Sequence, residues 1–92
     1  MENIKKYQVG SDWYASKSMA KKHFKYLLGF AKIGMYGENT NFWNIWKPLY
    51  DKGFHKEIKN FIVEKDKNHK LKDILVEDIE GNIEKWIWFS LP

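Results

Sequence analysis

Apolar positions along the first half of the chain recur every three or four residues. Ala20, Phe24, Leu27, Leu28 and Ala31 form one such stripe, which predicts a helix that starts at a Ser16 or Ser18 N-cap and runs to about Ala31. Gly34 and Gly37 bracket an expected loop, Ile33 to Asn39, after which Thr40 or Asn41 can cap a shorter helix through Phe42-Trp43-Asn44-Ile45-Trp46. Pro48 is expected to end or kink that helix, and Gly53 to close the segment. From Ile58 the period falls to two. Ile58 to Glu64 and Leu71 to Glu77 read as antiparallel strands joined by a turn at Asp66-Lys67-Asn68-His69. The Gly-Asn signal in Glu80-Gly81-Asn82 then leads into a third strand, Ile83 to Phe89, with aromatics on both faces. Ahead of all this, Ile4 to Val9 reads as a short edge strand or ordered arm closed by Gly10-Ser11-Asp12. The expected fold class is α+β: two N-terminal helices on a three-stranded antiparallel meander, with that N-terminal edge strand beside it.

Ninety-two residues without a repeat, linker or low-complexity tract parse as one domain spanning residues 1–92. The absence of cysteine excludes a disulfide framework, a thiolate nucleophile and Cys-dependent zinc sites, and it suits a reducing, cytoplasmic setting. Met1-Glu2-Asn3-Ile4-Lys5-Lys6 is not followed by an apolar signal core, and stretches such as Trp86-Ile87-Trp88-Phe89 are far too short to span a membrane. No membrane association is expected.

Charge narrows the functional classes. All 16 basic residues are lysine, and residues 1–56 hold 10 of them against Glu2, Asp12, Glu38 and Asp51, a net of +6. Residues 57–92 hold the other 6 against 8 acids, a net of −2. Lysine is a point charge suited to phosphate or to an acidic surface, whereas bidentate reading of base edges favours arginine. Lys17, Lys21 and Lys25 lie at i, i+4 and i+8 of the first predicted helix, with Lys22 beside them and Lys32 just past its end. No acid offsets them on that helix. The row therefore suits the backbone of RNA or DNA, or an acidic partner protein, against the plainer reading of a solvated helix face.

Aromatic residues make up 17% of the chain. Trp43, Trp46 and Tyr50 recur at spacings of three and four on the second helix, and Trp86 and Trp88 share a face of the last strand. If exposed, Trp43, Trp46, Trp86 and Trp88 would stack on unpaired bases or form an interface; if buried, they fill a small core. His23, His55 and His69 have no metal-ligand spacing, and the Glu77-Asp78-Glu80 cluster is expected to face water, so neither metal nor cofactor is predicted. His55 with Glu57 or Asp51 is the one spacing open to acid/base chemistry, but no phosphate loop or nucleophile elbow accompanies it. A non-enzymatic binding protein is expected.

Four segments carry a family pattern. An aromatic before a Ser-Lys helix start and a basic helix appears in Tyr14-Ala15-Ser16-Lys17-Ser18-Met19-Ala20-Lys21-Lys22-His23-Phe24. An acid and a Phe open the second helix in Glu38-Asn39-Thr40-Asn41-Phe42, and an Ile-x-x-Phe-x-Val strand follows as Ile58-Lys59-Asn60-Phe61-Ile62-Val63. The last hairpin has an acidic-Gly turn in Ile74-Leu75-Val76-Glu77-Asp78-Ile79-Glu80-Gly81-Asn82. Across about residues 13–89 the chain thus resembles the DCL domain (defective chloroplasts and leaves), which is also found in bacteria and phages. The resemblance departs at Leu49 to Glu57, where neither the family's His-Pro pair nor its Lys-Ile-Gly step is present. It departs again at Lys85-Trp86-Ile87-Trp88, which keeps the family's aromatic positions without its acid, so no role for that acid carries over. The resemblance implies an association with nucleic-acid processing, since DCL-like domains accompany plastid ribosomal RNA maturation, a plant RNA polymerase subunit and nuclease-containing phage proteins. Two readings follow: an RNA- or DNA-binding domain, and a phage or bacterial interaction module that docks its basic face on an acidic protein.

Overall fold

Ser16 and Thr40 start the two helices through the same local device. In the computed structural model, which describes residues 7–65 and 72–90, the Ser16 hydroxyl accepts from the Met19 backbone N–H at 3.2 Å and opens α1, Lys17–Phe30. The Thr40 hydroxyl accepts from the Trp43 N–H at 3.3 Å, donates to the Gly37 carbonyl at 2.7 Å and opens α2, Asn41–Gly53. Each satisfies one orphan N–H of a first turn. α1 ends at Ala31 without a basic residue in its last turn. The missing cation comes from the sheet: Lys72 Nζ donates to the carbonyls of Leu28 at 3.4 Å, of Gly29 at 3.0 Å and of Ala31. A charge at the negative end of the helix dipole and a tertiary tether are thus one side chain.

Pro48 does not end α2, which continues to Gly53. A proline inside a helix costs about 3 kcal/mol, but the turn beyond it buries Leu49 and Tyr50, and each such side chain returns roughly 1.5–3 kcal/mol. Its ring also has a partner. Gly10, at φ +61°, lies so close that a Cβ there would sit 3.1 Å from Pro48 Cβ, so only glycine suits both the turn and the contact.

The strand arrangement corrects the expected one. Besides two helices, the described residues form two sheets and not a three-stranded meander. β1 (Tyr7–Val9) pairs only with β2 (Asp12–Tyr14) in a hairpin turned at Gly10-Ser11, so Asp12 belongs to a strand and the N-terminal segment is no edge of the main sheet. Ile4 to Lys6 lie outside the described residues. The main sheet is antiparallel in the order β3 (Gly34–Tyr36), β4 (Ile58–Lys65), β5 (Lys72–Asp78), β6 (Ile83–Trp86). The segment expected as a loop supplies its edge strand, with Met35 opposite Ile62 and Tyr36 opposite Phe61. Three residues, one of them a glycine, are too few to show a period. What holds them is tertiary, a stack of Tyr36 on Phe42 at 4.7 Å between centroids. β6 stops at Trp86 and not Phe89; the chain turns there, with Ser90 N–H donating to the Ile87 carbonyl at 3.2 Å. The turn expected at Asp66 to His69 and the strand start at Leu71 lie outside the described residues.

A bulge in β4 sets the inner face of this sheet. Ile58 pairs with Asp78 but Asn60 with Glu77, so Ile58 and Phe61, three apart, are both buried. With Val63, Ile74, Val76 and Trp86 they meet Phe24 and Leu28 of α1 and Phe42, Trp46, Leu49 and Tyr50 of α2 in one core.

Asp78 is the second correction, being 3% exposed where an acid facing water was expected. Its Oδ1 accepts from the Glu80 and Asn82 N–H groups, each at 2.9 Å, and Lys56 Nζ lies 3.0 Å from Oδ2. Gly81, at φ +91°, completes the turn with its N–H on the Asp78 carbonyl at 3.0 Å. The backbone bond from Asn82, helped by Lys56 and Glu80, outweighs desolvation and lowers the carboxyl from 3.8 to about 2.

Two predictions follow from these contacts. Lys72→Met should lower unfolding free energy by about 1–2 kcal/mol in urea titration, because three α1 carbonyls lose their donor. For Asp78, a carboxyl whose folded pKa of about 2 is below its ordinary value stabilises the fold above pH about 4, and that contribution is lost as pH falls toward 2. The urea-midpoint gap between wild type and Asp78→Asn should therefore be full at pH 6 and close between pH 4 and pH 2.

Candidate nucleic-acid interface

α1 divides its surface by residue type. Ala20, Phe24 and Leu28 are buried, whereas Lys17, Lys21, Lys22 and Lys25 are exposed along one flank, and Lys32 is exposed beyond the C-cap. No acid lies on the helix. Elsewhere five lysines are engaged: Lys47 with Asp51 at 2.8 Å, Lys56 with Asp78 and Glu84, Lys59 with Glu77 at 3.7 Å, Lys85 with Asp73 at 3.4 Å, and Lys52 over the Tyr7 ring at 4.5 Å. Among the described residues no carboxylate comes within ion-pair distance of Lys21, Lys22, Lys25 or Lys32. Four like charges gathered on a short segment, near a helix whose own N-terminal dipole is positive, repel one another without local compensation.

The tryptophans divide in the opposite sense. Trp46, Trp86 and Trp88 are buried, with Trp46 at 5.3 Å from Trp88 and 6.0 Å from Trp86 between centroids, so none offers a face to a base. Trp43 is partly buried, edge-on to Phe61 at 5.3 Å and with Lys47 5.6 Å from its ring. The stacking role expected of these rings is therefore withdrawn for three of them. The wet rings are others. Tyr26 is 64% and Phe30 71% exposed, 4.9 Å apart on α1, and Trp13 on β2 is 59% exposed. The sequence signal for Tyr26 and Phe30 is their i, i+4 spacing off the buried stripe of α1.

Two hollows adjoin along the seam between α1 and α2. One, of about 300 Å³, is bordered by Phe30, Lys32, Tyr36 and Trp46; the other, of about 250 Å³, by Ser11, Asp12, Tyr14, His23 and Asn44. Leu27 and Ile45 line both. Within the second, the Tyr14 hydroxyl and His23 Nδ1 are 2.7 Å apart, which fixes the imidazole against the β1–β2 hairpin. His55 is exposed, the nearby Asp51 carboxylate is bound by Lys47, and His69 lies outside the described residues. No helix among the described residues is long and apolar enough to cross a membrane.

The chain matches no known protein family, no curated protein and no solved structure in comparison with each.

The contrast between wet and dry indoles is measurable. Acrylamide should quench a readily accessible part of the tryptophan emission, and Trp13→Phe should remove most of it, whereas Trp88→Phe should leave it in place.

Proposed function

We propose that the protein is a small, non-enzymatic, cytoplasmic domain that binds the phosphate backbone of nucleic acid, RNA by preference, through the lysines of α1. Lys17, Lys21, Lys22 and Lys25 track successive phosphates along the helix, and Lys32 extends the row past its end. The observation that carries this reading is that, among the described residues, no carboxylate lies within ion-pair reach of the exposed Lys21, Lys22, Lys25 and Lys32, while Lys47, Lys56, Lys59 and Lys85 are each matched to an acid. An exposed cation cluster left uncompensated gains most from a polyanion, because each phosphate it neutralises releases a condensed counterion. The lack of arginine agrees with backbone contact over base-edge reading. The motifs that resemble the DCL domain fit the same reading.

A second reading is supported by the exposed apolar side chains Met19, Tyr26 and Phe30 on the same helix. In it the chain is a phage or bacterial interaction module whose basic face docks on an acidic protein, with those side chains as anchors.

Salt dependence separates the two. Bulk RNA should bind with micromolar affinity, and log affinity should fall against log salt by about 0.7–0.9 per contact for roughly 3–5 contacts. Lys17/Lys21/Lys25→Glu should abolish most of that affinity and flatten the slope. All three positions are exposed on α1, and glutamate forms helix about as well as lysine, so folding is not what the substitution removes. Unchanged RNA affinity in the triple variant overturns the nucleic-acid reading.

A further inference from the structure

Met19, His23, Tyr26 and Phe30 follow one another at spacings of four, three and four, a second stripe on α1 between its lysine flank and the α2 seam. Met19, Tyr26 and Phe30 are exposed although large and apolar, and the two rings meet edge-on. Lys22 stands one turn before Tyr26, so a charge and a ring are surface neighbours. Phe30 is also on the border of the hollow of about 300 Å³, whose apolar walls include Leu27, Ile45 and Trp46 and whose edge carries Lys32. That volume is at the small end of ligand pockets and accommodates one planar heterocycle.

We propose that this hollow receives an unstacked nucleobase of a single-stranded nucleic acid, with Phe30 as the stacking ring at its rim and Lys22 and Lys32 on the flanking phosphates. The inference rests on the nucleic-acid reading above and names its substrate class. Charge and shape select the occupant together. An apolar peptide would gain nothing from the uncompensated lysines, and an acidic peptide would leave the apolar hollow wet. A polynucleotide supplies a planar apolar face and a negative charge in every repeat. Bases within a duplex are paired and stacked, so they do not enter.

The test is fluorescence anisotropy with a labelled single-stranded RNA of about 12 nucleotides, and with the same strand annealed to its complement at equal salt. Wild type should bind the single strand at least about tenfold more tightly than the duplex. Phe30→Ala, at an exposed position, should weaken single-strand binding about tenfold and duplex binding less than about twofold. Ile45→Trp, which narrows the hollow from α2, should act in the same direction. Equal affinity for both RNAs, or full single-strand affinity in both variants, overturns the base site while the lysine reading stands. Binding of neither RNA overturns both. Self-association by sedimentation that Phe30→Ala abolishes, with no RNA bound, assigns the stripe to a second copy of the chain and likewise overturns the proposal.

Discussion

Trp46, at 1% exposure, is bordered by Phe24 of α1 at 4.8 Å, by Phe42 one turn earlier at 5.4 Å, by Trp88 at 5.3 Å and by Trp86 of β6 at 6.0 Å. Both helices and the end of the sheet therefore converge on a single indole. A chain this short has few large apolar residues to spare, and edge-on ring contacts add to the area each buries. The rest of the architecture answers to this cluster. α2 runs through Pro48 because Leu49 and Tyr50 complete the same core, and the chain leaves the sheet after Trp86 as Trp88 packs against Trp46.

Committing those indoles to the core decides what is left for the surface. The charge asymmetry of the sequence becomes a division of labour: acids of the sheet pair with lysines of the sheet and of the loop before it, while α1 keeps its lysines exposed. Lys72 is the exception that links the halves, a sheet lysine spent on the α1 carboxyl end. The helix that carries the proposed function is thus held by one cation from outside, while its own Lys21, Lys22 and Lys25 stay exposed.

The helix boundaries could be read locally because their causes are local. Ser16 with Met19 and Thr40 with Trp43 each close within three residues, and the buried stripe Ala20, Phe24, Leu28 repeats with the helical period. The Gly81 turn is of the same kind. β3 was invisible for the opposite reason: three residues carry no periodicity, and Gly34–Tyr36 is a strand because β4 presents an edge beside it and Tyr36 stacks on Phe42. Asp78 misled for a related cause, since the N–H groups and the Lys56 ammonium that bury it favourably are supplied by the turn and by a residue far back in the chain.

For the candidate site, the sequence by itself determined that lysines would gather on α1 without acids among them, a matter of residue identity and helical spacing alone. Which rings stand beside those lysines was decided only in three dimensions. Trp46 on α2 and Phe30 on α1 are both large rings on amphipathic helices, yet one is dry and the other wet. Burial depends on which element packs over a given face. The hairpin and α2 cover α1 along Phe24 and Leu27, and the seam opens at Phe30.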